Sequence, residues 1–279
     1  NRRHVMTNTT KGTVSMREWG GAGETAAVRR LPRGSVSCLG ARTILFLVLP
    51  TLLLGCGIET LPYVAAPKED EADWDIDPAF ITFRHNDEDN DSDEFRGYEL
   101  YYKLYEDENG STGCREADKP CNDDYEAILR DPVPTGTSRL TGRGYVRMIA
   151  GENPGEIPGI TVSLANRGDE FDVDIYLTAG TDEDRDTARA EWPNGPQDLN
   201  RNVPSASDGF KRFLATEDYD DDDDDLSAID SEISDVIGND NLYMAVYALG
   251  YGIDPASLQE IYSRPVFLGY VRLEPEGGG

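Results

Sequence analysis

Gly97-Tyr98-Glu99-Leu100-Tyr101-Tyr102-Lys103-Leu104-Tyr105 reads with a period of two. In an extended chain successive side chains point to opposite faces, so Tyr98, Leu100, Tyr102 and Leu104 share one face. A tyrosine-rich alternation of this kind is a β-strand signature. The same period recurs along the chain. Phe80-Ile81-Thr82-Phe83 reads as an earlier strand. Phe171-Asp172-Val173-Asp174-Ile175-Tyr176-Leu177 turns both aspartates away from Phe171, Val173, Ile175 and Leu177. Shorter candidates cover 145–149 and 160–164, and 242–249 and 266–273 complete the series. Gly and Pro clusters separate these runs, and no internal repeat is visible, so the expectation is a mainly antiparallel β domain over 79–275 with a tail at 276–279.

Two stretches carry helical spacing instead. Leu226, Ile229, Ile233 and Ile237 fall three and four residues apart, which predicts one helix with Asp225 as its cap and the preceding aspartates at its positive end. Phe210, Phe213 and Leu214 suggest another short piece within 208–216. A further turn is expected to begin at Asp254-Pro255.

Gly97-Tyr98-Glu99-Leu100-Tyr101-Tyr102 also resembles the central strand of a fibronectin type III-like or Ig-like sandwich. Tyr243-Met244-Ala245-Val246-Tyr247-Ala248, followed by Gly250, Gly252 and Ser263-Arg264-Pro265, is similar to its final hairpin. The resemblance covers about two strands and their exit. It implies an antiparallel β-sandwich, with binding or spacing roles at a bacterial surface. About 135 residues part the two segments. Either one sandwich carries a long acidic insertion over about 106–240, with short helices and extra strands, or the topology differs.

Upstream, Ile44-Leu45-Phe46-Leu47-Val48-Leu49-Pro50-Thr51-Leu52-Leu53-Leu54 stops abruptly at Gly55-Cys56. The run is too short for a bilayer core that needs about 20 helical residues. It fits the apolar region of an export signal, with Arg33 and Arg42 as its positive flank. Leu53-Leu54-Gly55-Cys56 resembles the bacterial lipobox: aliphatic, variable, small, cysteine. The whole is similar to spirochaetal lipoproteins, which tolerate looser boxes, as the large Leu54 requires. The resemblance implies a diacylglycerol on the Cys56 sulfur, cleavage after Gly55, and a fatty acyl group such as palmitate on the new amine. Residues 1–55 are then leader and signal peptide. For 1–30, two readings stay open: a start placed too early, or a long n-region. Gly57 follows the cysteine where an inner-membrane retention signal would put aspartate. An envelope location, periplasmic or cell surface and at the outer membrane, is therefore the expectation.

Removing 1–55 sharpens the charge. The remainder keeps 18 Lys or Arg against 52 Asp or Glu, a formal charge of about −34. A field of that sign repels nucleic acid and anionic lipid faces, so neither is an expected partner. Attachment falls to acyl chains, at about 0.8 kcal/mol per buried CH₂. Residues 56–78, with Pro62, Pro67, Lys68-Glu69-Asp70-Glu71 and no apolar period, read as an acidic tether.

Cysteine and histidine usage limits the chemistry. With Cys56 committed to lipid, Cys114 and Cys121 remain as an even pair, and export permits a disulfide between them. His85 is the one histidine left, and two thiolates do not complete a zinc site. Asp87-Glu88-Asp89-Asn90-Asp91-Ser92-Asp93 offers oxygen ligands at alternating positions. Ser92 nevertheless stands where an EF-hand needs glycine, and Tyr98 where it needs glutamate. Asp182-Glu183-Asp184-Arg185-Asp186 and the six aspartates Asp220 to Asp225 read as solvated loop charge. No metal or cofactor is expected. No nucleophile elbow, HExxH or phosphate-cradling loop is present. Among 52 acidic residues, carboxylate pairs arise by chance. The expectation is a non-catalytic binding or structural protein of the envelope, with another envelope protein or a glycan as ligand. The alternative is a surface glycan hydrolase using a carboxylate pair. Outward tyrosines such as Tyr101 and Tyr105 are candidates for a binding face, or for cross-strand pairing.

Overall fold

The computed structural model describes residues 62–68, 80–108, 114, 117–130, 136–151, 159–177, 187–206 and 209–275. These lie in one compact unit. The chain is mainly β and its strand pairs are antiparallel. In order it forms β1 (Phe80–Arg84), α1 (Asp87–Asn90), β2 (Phe95–Glu106), α2 (Asn122–Leu129), α3 (Ser138–Thr141), β3 (Val146–Arg147) and β4 (Ile149–Ala150). Then come β5 (Ile160–Thr161), β6 (Asp172–Tyr176), β7 (Ala188–Glu191), β8 (Gln197–Asn200), α4 (Ile233–Gly238), β9 (Leu242–Ile253), β10 (Glu260–Tyr262) and β11 (Val266–Arg272). One sheet runs β1-β6-β7-β8-β4; the other runs β10-β9-β2-β3, with β11 also on β9 and β5 also on β2.

The alternation at 97–105 sets this architecture. Tyr98, Leu100, Tyr102 and Leu104 enter one hydrophobic core together with Met244, Val246 and Ala248 of β9. Ile81 and Phe83 of β1, Val173 and Ile175 of β6, and Ala188 and Ala190 of β7 enter the same core. Both sheets therefore share it. The register sets Tyr102 opposite Val246 and Leu104 opposite Met244, so the inward faces of the two longest strands are in step.

The outward face of β2 differs from expectation. Tyr101 and Tyr105 are buried, inside a second core with Tyr247, Phe267, Tyr270, Ile128 of α2, Leu140 of α3 and the two cysteines. Described residues between β2 and β3, among them Cys114, Cys121, Ile128 and Leu140, cover that face. β9 is consequently buried on both faces, which accounts for its nearly unbroken apolar sequence.

Other boundaries shift too. The 145–149 strand is two pieces, β3 pairing with β2 and β4 with β8. In the 160–164 candidate only Ile160–Thr161 is strand, and Leu164 is exposed. The 225–237 helix is a 3₁₀ turn at Asp224–Leu226 and a separate α4, with no side-chain cap on either. Over the described residues 209–216 there is no α-helix; Phe210 bridges Pro204, and a 3₁₀ turn follows at Thr216–Asp218. A turn does form at 254–257, where Asp254 accepts from Ala256 N–H at 2.9 Å and from the Ser257 hydroxyl at 2.5 Å. Residues 106–240, expected as an insertion, supply four of the five strands of one sheet.

The tether is corrected at 62–68. Val64 and Ala65 are buried, and Lys68 bridges Arg84 of β1. Two glycines of β9 make the space: a Cβ on Gly250 would stand 2.2 Å from the Ala65 carbonyl oxygen, and one on Gly252 2.6 Å from Val64 Cγ1. The remainder of 56–78 lies outside the described residues.

Candidate functional site

Cys114 and Cys121 form a disulfide, with an S–S distance of 2.04 Å and Cα atoms 5.1 Å apart. Both are fully buried, and Asn122 Nδ2 closes the loop with a 2.9 Å bond to the Cys114 carbonyl. Leu53, Leu54, Gly55 and Cys56 lie outside the described residues, as does 182–186.

The buried acids are engaged as ion-pair partners. Asp107 pairs with Lys119 at 3.1 Å and accepts from the Tyr270 hydroxyl at 3.2 Å. Glu99 pairs with Arg147 at 3.2 Å and accepts from Tyr101 at 3.0 Å. Burial pushes the Glu99 carboxyl above its usual range, and Arg147 opposes that push.

The six-aspartate run, expected to be solvated, is partly interior. Arg201 Nη2 meets Asp225 Oδ1 at 2.5 Å and Asp223 Oδ2 at 2.8 Å, and its Nε meets Asp225 Oδ2 at 3.0 Å. The Tyr102 hydroxyl adds a 2.6 Å bond to Asp225, and the Tyr219 ring lies 4.1 Å from the guanidinium carbon. Lys211 joins Asp223 to Asp220, at 2.6 Å each. Burial alone would lower the Arg201 pKa, but the Asp225 bonds more than reverse it. Six like residues in a row give no sign of which one turns inward. The nearby Arg201, Lys211 and Arg212 are the available hint.

Around His85 the polar groups are fully assigned. Its Nε2 lies 2.8 Å from the Arg167 carbonyl, which can only accept, so Nε2 carries the proton. Nδ1 then accepts from the Tyr98 hydroxyl at 2.7 Å. That oxygen receives Asn86 N–H at 3.1 Å and Asn90 Nδ2 at 3.3 Å. The ring stacks on Phe171, with centroids 4.5 Å apart. Desolvation lowers the His85 pKa.

Cationic side chains of the protein meet the acidic stretch beside it. Its Asp87 pairs with Lys68 at 2.7 Å, and Arg167 Nη1 occupies the Ser92 carbonyl at 2.6 Å. Among the described residues, no group of three or more His, Cys, Asp or Glu is arranged to hold a metal.

A cleft of about 250 Å³ opens where the β7–β8 turn meets β4 and β5. Trp192, Asn194, Gln197 and Thr161 line it, over Ala150 and Gly159. Gly195 holds the turn with φ of 114°, a conformation side chains rarely adopt. Trp192 Nε1 donates to the Thr161 carbonyl at 2.8 Å, which fixes the indole against β5. Asn194 Oδ1 accepts Ser163 N–H at 3.2 Å, orienting that amide. Among the described residues, the lining groups offer an aromatic surface, amides and a hydroxyl, with no ionisable side chain. They can bind hydroxyl or amide groups but supply no general acid. Sequence reasoning passed over this site because Trp192-Pro193-Asn194-Gly195-Pro196 reads simply as a turn.

The chain matches no family model, no curated protein and no solved structure.

Proposed function

We propose that this is a lipid-anchored, extracytoplasmic protein of the cell envelope with a non-catalytic binding role, held to the membrane through acylated Cys56. Its body is read as a β-sandwich of the two sheets, with 106–240 as part of both layers. The cleft at Trp192 is its candidate contact for a small neutral polar unit, such as one sugar of an envelope glycan. The observation that carries this reading is the cleft's chemistry: an indole and two amides, with the buried carboxylates engaged elsewhere. A hydrolase would need two acids facing a concave site. The buried Cys114–Cys121 bond fits an oxidising compartment.

The test is a fluorescence titration. Trp74→Phe leaves Trp192 as the sole tryptophan after residue 55. The mature protein carrying that change, titrated with N,N′-diacetylchitobiose, should show a saturable emission shift that Asn194→Ala weakens, with no hydrolysis of the sugar. Reducing-end release would favour the hydrolase. No shift up to tens of millimolar would remove the cleft as a sugar contact.

A further inference from the structure

We propose that residues 62–68 are a releasable strap whose docking is controlled by the protonation of His85.

The strap ends in a backbone bridge between Lys68 and Arg84, and its middle is held through one side chain. Asn90 Oδ1 accepts Ala65 N–H at 2.8 Å while its Nδ2 donates to the Ala65 carbonyl at 3.2 Å, so both ends of the amide grip one residue. Asn90 Nδ2 also donates to the Tyr98 hydroxyl at 3.3 Å, and that hydroxyl donates to His85 Nδ1 at 2.7 Å. The relay runs His85, Tyr98, Asn90, Ala65. Each proton in it has one direction. Asn86 secures the next residue through its Nδ2 and the Ala66 carbonyl at 3.3 Å, and Lys68 ends the strap on Asp87.

Protonating His85 reverses the first link. Both ring nitrogens become donors, and Nδ1–H then points at an oxygen that already receives Asn86 N–H and Asn90 Nδ2. The Tyr98 hydrogen has lost its acceptor, and the groups around the oxygen are donors. Relief requires Asn90 to withdraw. Flipping the amide does not help, because Nδ2 would then face Ala65 N–H. Withdrawal releases the grip on Ala65.

The charges facing His85 do not prevent this. Asp87 from α1 favours the cation, and Lys68 from the strap itself opposes it. The Arg167 carbonyl, which accepts from Nε2, also favours the cation, and burial of the ring is the largest influence against it. Phe95 and Phe171 close the ring off from water. Docking therefore selects neutral His85, and undocking removes Lys68 and opens the site.

If the open state titrates near 6.5 and the docked state resists protonation, the open fraction rises by up to about thirtyfold between pH 7.5 and pH 5. On the reading that Cys56 carries lipid, the strap is the first described hold after the anchor, so acid lengthens the leash. The switch itself does not depend on that reading, and its test needs no lipid.

The experiment is hydrogen exchange by mass spectrometry on the protein from residue 56 onward, between pH 5 and pH 7.5 and corrected for intrinsic rates. Protection of 62–68 should fall at least tenfold toward pH 5, while β9 stays protected. His85→Gln keeps an acceptor toward Tyr98 and a donor toward Arg167, and should make strap protection independent of pH. Asn90→Ala should leave the Ala65 amide unprotected at every pH. Strap protection that is flat with pH in the unaltered protein would overturn the proposal. So would an undiminished pH response in His85→Gln or, should that variant not fold, in Asn90→Ala.

Discussion

Arg201 and Asp225 form a two-pronged ion pair inside the protein, with contacts of 2.5 and 3.0 Å and at most 2% of either side chain exposed. Asp225 also receives Tyr102 from the central strand, so this pair fastens the six-aspartate run to the core beneath β2. Removing Asp225 leaves the buried Arg201 with Asp223 as its remaining carboxylate, and removing Arg201 leaves Asp225 charged and buried without its guanidinium. Asp225→Ala should cost about 3–5 kcal/mol in urea unfolding at pH 7. Arg201→Met combined with Asp225→Leu should cost much less than the two single changes added together. Additive losses would mean the pair is not coupled.

Gly250 reports the strap by a route independent of pH. A methyl there would stand 2.2 Å from the Ala65 carbonyl oxygen, a backbone atom with little room to move. Gly250→Ala should cost about 1–3 kcal/mol and leave 62–68 rapidly exchanging at pH 7.5. Unchanged protection would place the strap elsewhere.

How far sequence foretold these contacts follows from where the alternation is strong. β2, β6 and β9 carry mostly large apolar or aromatic residues at alternate positions, so strand and inward face are both legible. β7, Ala188-Arg189-Ala190-Glu191, turns only alanines to the core, and β8 contributes Leu199 alone. Neither is a strong strand signal. Tyr101 and Tyr105 read as outward because the pattern of a strand says nothing about a cover supplied by Cys114, Cys121, Ile128 and Leu140. The 225–237 spacing is satisfied by two separate pieces that reach one core, which mimics a single helix. The cleft has no periodic signature at all.

The disulfide should have a modest effect. Its loop has a sequence separation of 7, so loss of chain entropy predicts about 2–2.5 kcal/mol. Cys114→Ser with Cys121→Ser should lower the unfolding free energy measured in urea by that amount while β2 and β9 keep their exchange protection. Collapse of the whole fold would show that the second core depends on the bond.

Stability should also depend on pH through His85. Its folded pKa lies below 6.5, so the unfolded chain binds more protons in acid. The contribution is complete above about pH 6.5 and is lost as pH falls toward the folded value. Urea midpoints at pH 7.5 and 5.5 should differ more in the unaltered protein than in His85→Gln. An equal difference would assign the pH effect to other groups.

Membrane attachment is the centre of the proposed function, and the chain offers a direct reading of it. Trypsin cutting after Arg42 and Lys68 isolates the junction. Mass spectrometry of protein extracted from membranes should find a peptide of residues 56–68 that begins at Cys56 and carries a diacylglyceryl thioether and an acylated amine. An unmodified peptide of residues 43–68, running uncut through Gly55 and Cys56, would contradict the account.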